Sequence, residues 1–182
     1  MLPATRGIMQ VELITAGAES SDLIRTVRVV VFDHASRQPV PDINELHVVD
    51  PANQGATVFK INLEVSRNAD KMVVAIVNEP ASLSGELSQL THPDGLEDIA
   101  FRFAEFFNST HTQLLSDKSL PMTGVKRGVV VSDAKNSAVN AKKISMTLER
   151  AVARVDLYLK KETDLNGIAV RLATTSSIKL QN

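Results

Sequence analysis

The sequence predicts an all-β sandwich of roughly eight strands with one inserted amphipathic helix. Three observations predict it. Most apolar runs alternate with polar residues, the period of a strand with one buried face. Breaks rich in Gly, Pro, Asn and Asp separate these runs at spacings usual for all-β domains. Helical periodicity governs a single stretch, between positions 94 and 107.

Residues 1–8 read as a loose arm. Met9, Val11, Leu13 and Thr15 then alternate with Gln10, Glu12 and Ile14, giving a short first strand. It stops at 16–22, a small and polar link expected to be exposed. From Leu23 to Phe32 both faces are apolar, which predicts a central strand. The prolines at 39 and 41 mark a turn, and Glu45–Val49 reads as a short strand. Val58–Ser66 alternates cleanly, with Phe59, Ile61, Leu63 and Val65 on one face. Asn68-Ala69-Asp70 turns the chain into a buried strand over Lys71–Val77, and the pair reads as a hairpin.

The middle changes period. Leu96, Ile99, Ala100, Phe103, Phe106 and Phe107 share one helical face, with Asp94 as a candidate N-cap and Glu97 three residues on. Pro121-Met122-Thr123-Gly124 then reads as a tight turn, followed by a strand over Lys126–Ser132 and a polar loop over Ala134–Ala141.

The longest strand signal runs from Lys143 to Leu159. Ile144, Met146 and Leu148 alternate in one register, and Val155, Leu157 and Leu159 in another. The slip over Glu149–Arg154 implies a bend or bulge. Arg150 and Arg154, beside small residues, suggest a strand passing between two sheets with its charges at the rim. A surface strand with incidental arginines is the alternative. Ile168, Val170, Leu172, Ile178 and Leu180 form a last, broken strand.

Composition narrows the function. The chain has 182 residues and a 43% hydrophobic fraction, enough for one sizeable core. Its net charge of −1 gives no argument for nucleic acid or an anionic membrane. One Tyr, six Phe and no Trp weaken a carbohydrate-binding reading. The absence of Cys excludes disulfides, thiol nucleophiles and cysteine metal sites. No apolar run reaches the length of a membrane helix, and the N-terminus lacks a signal-peptide core. That leaves a cytoplasmic protein, or a mature or engineered form.

Catalysis finds no support. His34, His47, His92 and His111 stand too far apart for a helical metal pair. Asp94, Glu97 and Asp98 gather near His92 but lack the ligand order of a calcium loop, and helix capping explains them better. There is no phosphate loop and no nucleophile elbow. Asn108-Ser109-Thr110 fits a glycosylation sequon, which matters only in a eukaryotic secretory setting. The expectation is no enzyme, no cofactor and no metal.

Four segments in order carry a resemblance. They are Val27–Asp33, Met72–Asn78 with its terminal Asn, Leu120–Gly124, and Leu148–Leu157 with Arg150 and Arg154. With a helical insert between the second and third, this order resembles the N-terminal domain of FimA-type fimbrillins, the subunits of Bacteroidales type V pili, over about residues 9–180. The resemblance implies a transthyretin-like sandwich and a lipoprotein precursor exported to the outer membrane. It also implies that an Arg-specific protease removes the first strand, and that a neighbour's strand fills the groove. Residues 1–22 would then be arm, detachable strand and linker, and 23–182 the sandwich. Met9, Val11 and Leu13 would face the groove.

The physical logic is donor-strand complementation. Removing an edge strand exposes backbone groups and an apolar groove, and a neighbour's strand restores both. Repeated head to tail, this makes a filament. Three features depart from the family. No Arg follows the first strand near Ala16, so the candidate cleavage residues are Arg6 and Arg25. The family's usual second sandwich domain would follow a final strand like Ile178–Leu180, which here leads to Asn182, as expected of a fragment or a shortened member. The lack of a lipidated Cys is what a chain without its leader would show.

The expected role is a structural subunit of a cell-surface fimbria, partnered by other pilus subunits. Outer-membrane attachment would come only through a precursor lipid, and no nucleic acid is involved. An anchor or tip adhesin of the same pilus is the alternative, with a host surface protein or glycan as its partner. A carbohydrate-binding module is the remaining one.

Overall fold

A computed structural model describes residues 6–15, 23–33, 41–50, 57–67, 69–96, 105–106, 115, 119–132 and 141–151. The expected linker at 16–22, His34 and His111, the sequon at 108–110, the loop at 134–140, Arg154 and the last strands lie outside them, as do 97–104 of the expected helix.

Seven strands form. They are β1 (Arg6–Thr15), β2 (Thr26–Asp33), β3 (Pro41–Val48), β4 (Val58–Ser66), β5 (Asp70–Val77), β6 (Met122–Val130) and β7 (Lys142–Arg150). Their order in space is β3-β2-β5-β6-β7-β1-β4. The ribbon folds over at β7. Residues 142–148 of β7 pair parallel to β1, while Glu149 and Arg150 pair with β6. So β7 does pass from one layer to the other, as its slipped alternation suggested. Arg150, at the crossing, is exposed.

One core fills the space between the layers. Val27, Val29 and Val31 of β2 with Val73, Ala75 and Val77 of β5 face Met9, Val11 and Leu13 of β1. Ile144, Met146 and Leu148 of β7 close it from the side. A smaller cluster, Val30, Phe32, Met72 and Val74 with Leu96, occupies the other face of β2 and β5. That second cluster is why both faces of these strands are apolar.

Three expectations change. β4 and β5 are not a hairpin: β4 pairs with β1, and β5 with β2 and β6. Their patterns already differ in kind. β4 has one wet face, whereas β5 is buried on both. Strands so unlike belong to layers with unlike cover. Second, Pro121–Gly124 is not a tight turn, because β6 begins at Met122. A Cβ on Gly124 would lie 3.2 Å from the Thr147 carbonyl and 3.3 Å from Leu148 Cδ2. Here glycine lets β6 pass close under β7. Third, Asp94 sits inside a 3-10 turn, Pro93–Leu96, with its N–H bonded to His92 Nδ1 at 3.1 Å, and does not cap a helix. A short helix α1 (Ser84–Ser88), not visible as a periodicity, precedes it.

Candidate assembly interface

The first strand is longer than its alternation suggested and lies deeper. β1 is not an edge strand. It runs between β4, antiparallel, and β7, parallel, with a neighbour on each side. Met9, Val11 and Leu13 are completely buried. On β4 they stand opposite Leu63, Ile61 and Phe59, and on β7 Val11 and Leu13 stand opposite Ile144 and Met146. Burying three such side chains contributes at most roughly 5–9 kcal/mol. That is comparable with the roughly 5–15 kcal/mol that holds a whole domain folded. An empty slot would therefore cost most of the domain's stability.

The outer face of β1 carries Ile8 and Ile14 beside two paired polar residues, Gln10 and Glu12. Gln10 Nε2 donates to Asn62 Oδ1 at 3.1 Å. Lys60 Nζ lies 2.9 Å from Glu12 Oε1, and this hydrogen-bonded ammonium holds the Glu12 carboxyl below its ordinary range. The alternation fixes register, since a slip of one residue would turn Gln10 and Glu12 into the core.

Each end of the slot is tied differently. At the Thr15 end, the Thr15 N–H donates to the Thr57 carbonyl at 3.0 Å. At the Arg6 end sits a charged cluster that periodicity could not reveal. Arg6 donates to Asp42 Oδ1 at 2.5 Å and to the Glu64 carbonyl at 2.6 Å. Asp42 also accepts the Ser66 N–H at 2.6 Å. Burial alone would raise the Asp42 pKa, but the bonds from Ser66 and Arg6 outweigh it and the net shift is downward. Behind them Lys71, with no exposed surface, is ion-paired to Asp33 and donates to Ser66 Oγ at 2.6 Å. Its ammonium is 3.9 Å from Asp42. A lysine opening an otherwise apolar strand was the available signal, because a buried cation demands carboxylate partners.

The other candidate residues are spread apart. Arg25 lies at the entry to β2, where its N–H donates to Asn78 Oδ1 and its carbonyl accepts from the Val49 N–H, both at 2.9 Å. Its Nε donates to Ser119 Oγ. Asn78 has a left-handed φ of 55° and donates through Nδ2 to the Leu23 and Leu120 carbonyls, each at 2.9 Å. One side chain thus joins the chain entering β2, the end of β5 and the approach to β6. Beside it opens a cavity of about 320 Å³ lined by Arg25, Asn78, Glu105 and Phe106 among others. A second feature missed in the sequence is Arg28, 3% exposed, which donates to both carboxylate oxygens of Glu79 at 2.6 and 2.9 Å. His47 pairs with Glu45 and His92 with Asp94. Among the described residues, no three His, Asp or Glu side chains converge as a metal site would require.

No protein-family model matches the chain. No curated protein matches it significantly. Solved structures do match. The chain is similar to the tip fimbrial protein Mfa3 from Porphyromonas gingivalis, solved with a C-terminal truncation, at 12% identity and a TM-score of 0.60. That likeness covers 80% of this chain and 48% of the other. It is similar to a candidate cell adhesion protein from Parabacteroides distasonis at 14% identity and a TM-score of 0.53, over 80% of this chain and 46% of that one. A candidate cell adhesion protein from Bacteroides eggerthii matches at 12% identity and a TM-score of 0.50, over 82% and 41%. The chain thus spans less than half the length of these structures. At such identities the likeness is one of fold, and that fold is of the fimbrillin type.

Proposed function

We propose that this chain is a structural subunit of a cell-surface fimbria, and that β1 is a resident strand which another subunit's strand replaces. One observation carries the reading. β1 fills an interior slot with an alternating, fully buried face, yet it is the first described strand and the next, β2, begins at Thr26 in the other layer. The fold shared with fimbrial and adhesion proteins supports it. Exchange on this geometry has to be concerted, because an empty slot is so costly. Partners are other pilus subunits, joined head to tail at the cell surface.

Cleavage is constrained by where the arginines sit. A cut after Arg6 would leave 7–15 in place. A cut after Arg25 requires opening the bonds to Asn78 and Val49 first. A cut within 16–22 would leave β1 whole and the Arg25 bonds closed.

The test is to introduce a specific protease site within 16–22, nick the folded protein, and add excess labelled peptide spanning residues 6–15. The reading expects slow uptake of label, one peptide per chain. A nicked protein that keeps its own strand and never takes up label refutes it. A second reading, a tip or anchor subunit that accepts a strand but does not extend the filament, is favoured by the likeness to a tip fimbrial protein. Native mass measurements after processing separate the two, because a cap stops growth and a shaft subunit continues it.

A further inference from the structure

The slot's charged end says what kind of strand can occupy it. We propose that the Asp42 end of the slot selects an incoming strand that carries a basic residue three positions before the first of its three apolar anchors. This rests on the exchange reading above and adds the chemistry of the partner.

The argument starts from charge. Around Arg6 lie Asp42, whose side chain is 10% exposed, and Glu64, whose carboxylate is 3.6 Å from the guanidinium. Behind Asp42 stand Asp33 and Lys71. With β1 seated, Arg6 and Lys71 offset much of this acidity. With β1 gone, Asp42 and Glu64 lose the guanidinium, and the one ammonium behind Asp42 is shared with Asp33 and Ser66. With β1 seated, Lys71 is wholly buried and held by Asp33 and Ser66 behind Asp42. Asp42 keeps the Ser66 N–H, which holds its carboxylate in place and aimed at the mouth. A largely buried, fixed carboxylate that has lost its nearer cation and keeps only a shared ammonium at 3.9 Å is an incomplete site.

Geometry fixes where the missing cation must sit. Arg6 stands opposite Ser66 in the ladder, at the last position where β1 and β4 pair. Its fork spans an Asp42 oxygen and the Glu64 carbonyl at the same time. From there the buried anchors Met9, Val11 and Leu13 follow at the third, fifth and seventh residues. A strand that reproduces the parallel pairing to β7 runs in the direction of β1, and with its basic residue at the other end it would leave the cluster unmatched. The apolar face supplies most of the affinity. The basic residue supplies polarity and choice of partner, the usual division between burial and charge at interfaces.

The nicked full chain tests this with four labelled peptides of residues 6–15: the native sequence, Arg6→Lys, Arg6→Gln and Arg6→Glu. The expected order of affinity on the unmodified host is Arg, then Lys, then Gln, then Glu, with Gln about tenfold weaker than Arg, the scale of a lost charge-assisted hydrogen bond. On an Asp42→Asn host the Arg-to-Gln preference should shrink to about twofold, the scale of an exposed pair with Glu64. An Asp42→Lys host should prefer the Arg6→Glu peptide, a reversal that loss of folding cannot produce. Equal uptake of all four peptides on the unmodified host overturns the proposal and leaves exchange standing. Full Arg preference on Asp42→Asn overturns it too, since the selectivity would then lie elsewhere. Uptake of no peptide at all defeats exchange itself, and the proposal with it.

Discussion

Asn78 gives the most exposed test of how the entry to β2, the end of β5 and the approach to β6 are tied together. Replacing it with Ala removes three bonds of 2.9 Å, to the Arg25 N–H and the Leu23 and Leu120 carbonyls, and a longer one of 3.4 Å from the Thr26 N–H. Each typical bond contributes about 1 kcal/mol net, so the three short ones total about 3 kcal/mol. Asn78 is 6% exposed, whereas its partners' residues are only half-buried, so water can rescue part of what is orphaned. The left-handed φ of 55° adds about 1 kcal/mol for Ala, which tolerates that region worse than Asn. The sum is about 3–4 kcal/mol, a large share of a domain's stability. The chain has no Trp, so unfolding is best followed by far-ultraviolet circular dichroism in urea. At about 2 kcal/mol per molar urea, the midpoint should fall by roughly 1.5–2 M. Asn78→Gly separates the contributions. It loses the same bonds but not the backbone strain, and should be more stable than Asn78→Ala. A midpoint shift for Ala below about 0.3 M, or Ala outlasting Gly, would show that Asn78 does not tie these segments together.

Three further outcomes follow from the same structure. Lys71→Met leaves Asp33 and Asp42 without their buried ammonium and should cost on the order of 3–5 kcal/mol, read as a lowered calorimetric Tm; an unchanged Tm would mean that the cluster is wet. Gly124→Val forces β6 away from the Thr147 carbonyl and should cost about 1–3 kcal/mol, with Gly124→Ala losing less; equal stability of all three would remove the close crossing. The Asp42 pKa is lowered in the folded state, so its contribution is present above its ordinary value of 3.8 and is lost as pH falls through the lowered one. The stability gap between the native chain and Asp42→Asn should thus be level near neutrality and narrow below about pH 4, and a gap that stays constant into strong acid would contradict the assigned shift.

Much of the architecture was legible because burial writes itself as period. β4 was placed to the residue by its alternation, and β2 was read as central because apolar residues filled both its faces. The crossing of β7 was visible as a slip in register. What stayed hidden depends on distant partners. Nothing local separates a first strand at an edge from one held between β4 and β7, since both alternate alike. The charged cluster draws Arg6, Asp33, Asp42 and Lys71 from four strands, and single-strand patterns carry no term for such meetings. Gly124 misled for a related reason. Beside Pro121 it suggests a turn, while its use is room for a second backbone.

The placement of β1 bears on why assembly would be directional. A sheet with free edges can add strands in either sense and in several registers. Among the described residues the free edges are β3 and β4. β3 begins at Pro41 and carries Glu45 and His47 on the side facing the other layer, and β4 presents Lys60, Asn62 and Glu64 outward. Charge on both edges, and a proline on β3, discourage casual pairing. The slot behaves differently once vacated. β1 pairs parallel to β7 and antiparallel to β4, so a strand that reproduces both ladders enters in a single orientation. The apolar face then sets register to within two residues, and the Asp42 cluster removes that remaining freedom by asking for a cation at one position. Backbone pairing supplies the attachment, alternation the face, and one ion pair the phase. A head-to-tail filament needs all three, because an error in any one of them repeats at every joint.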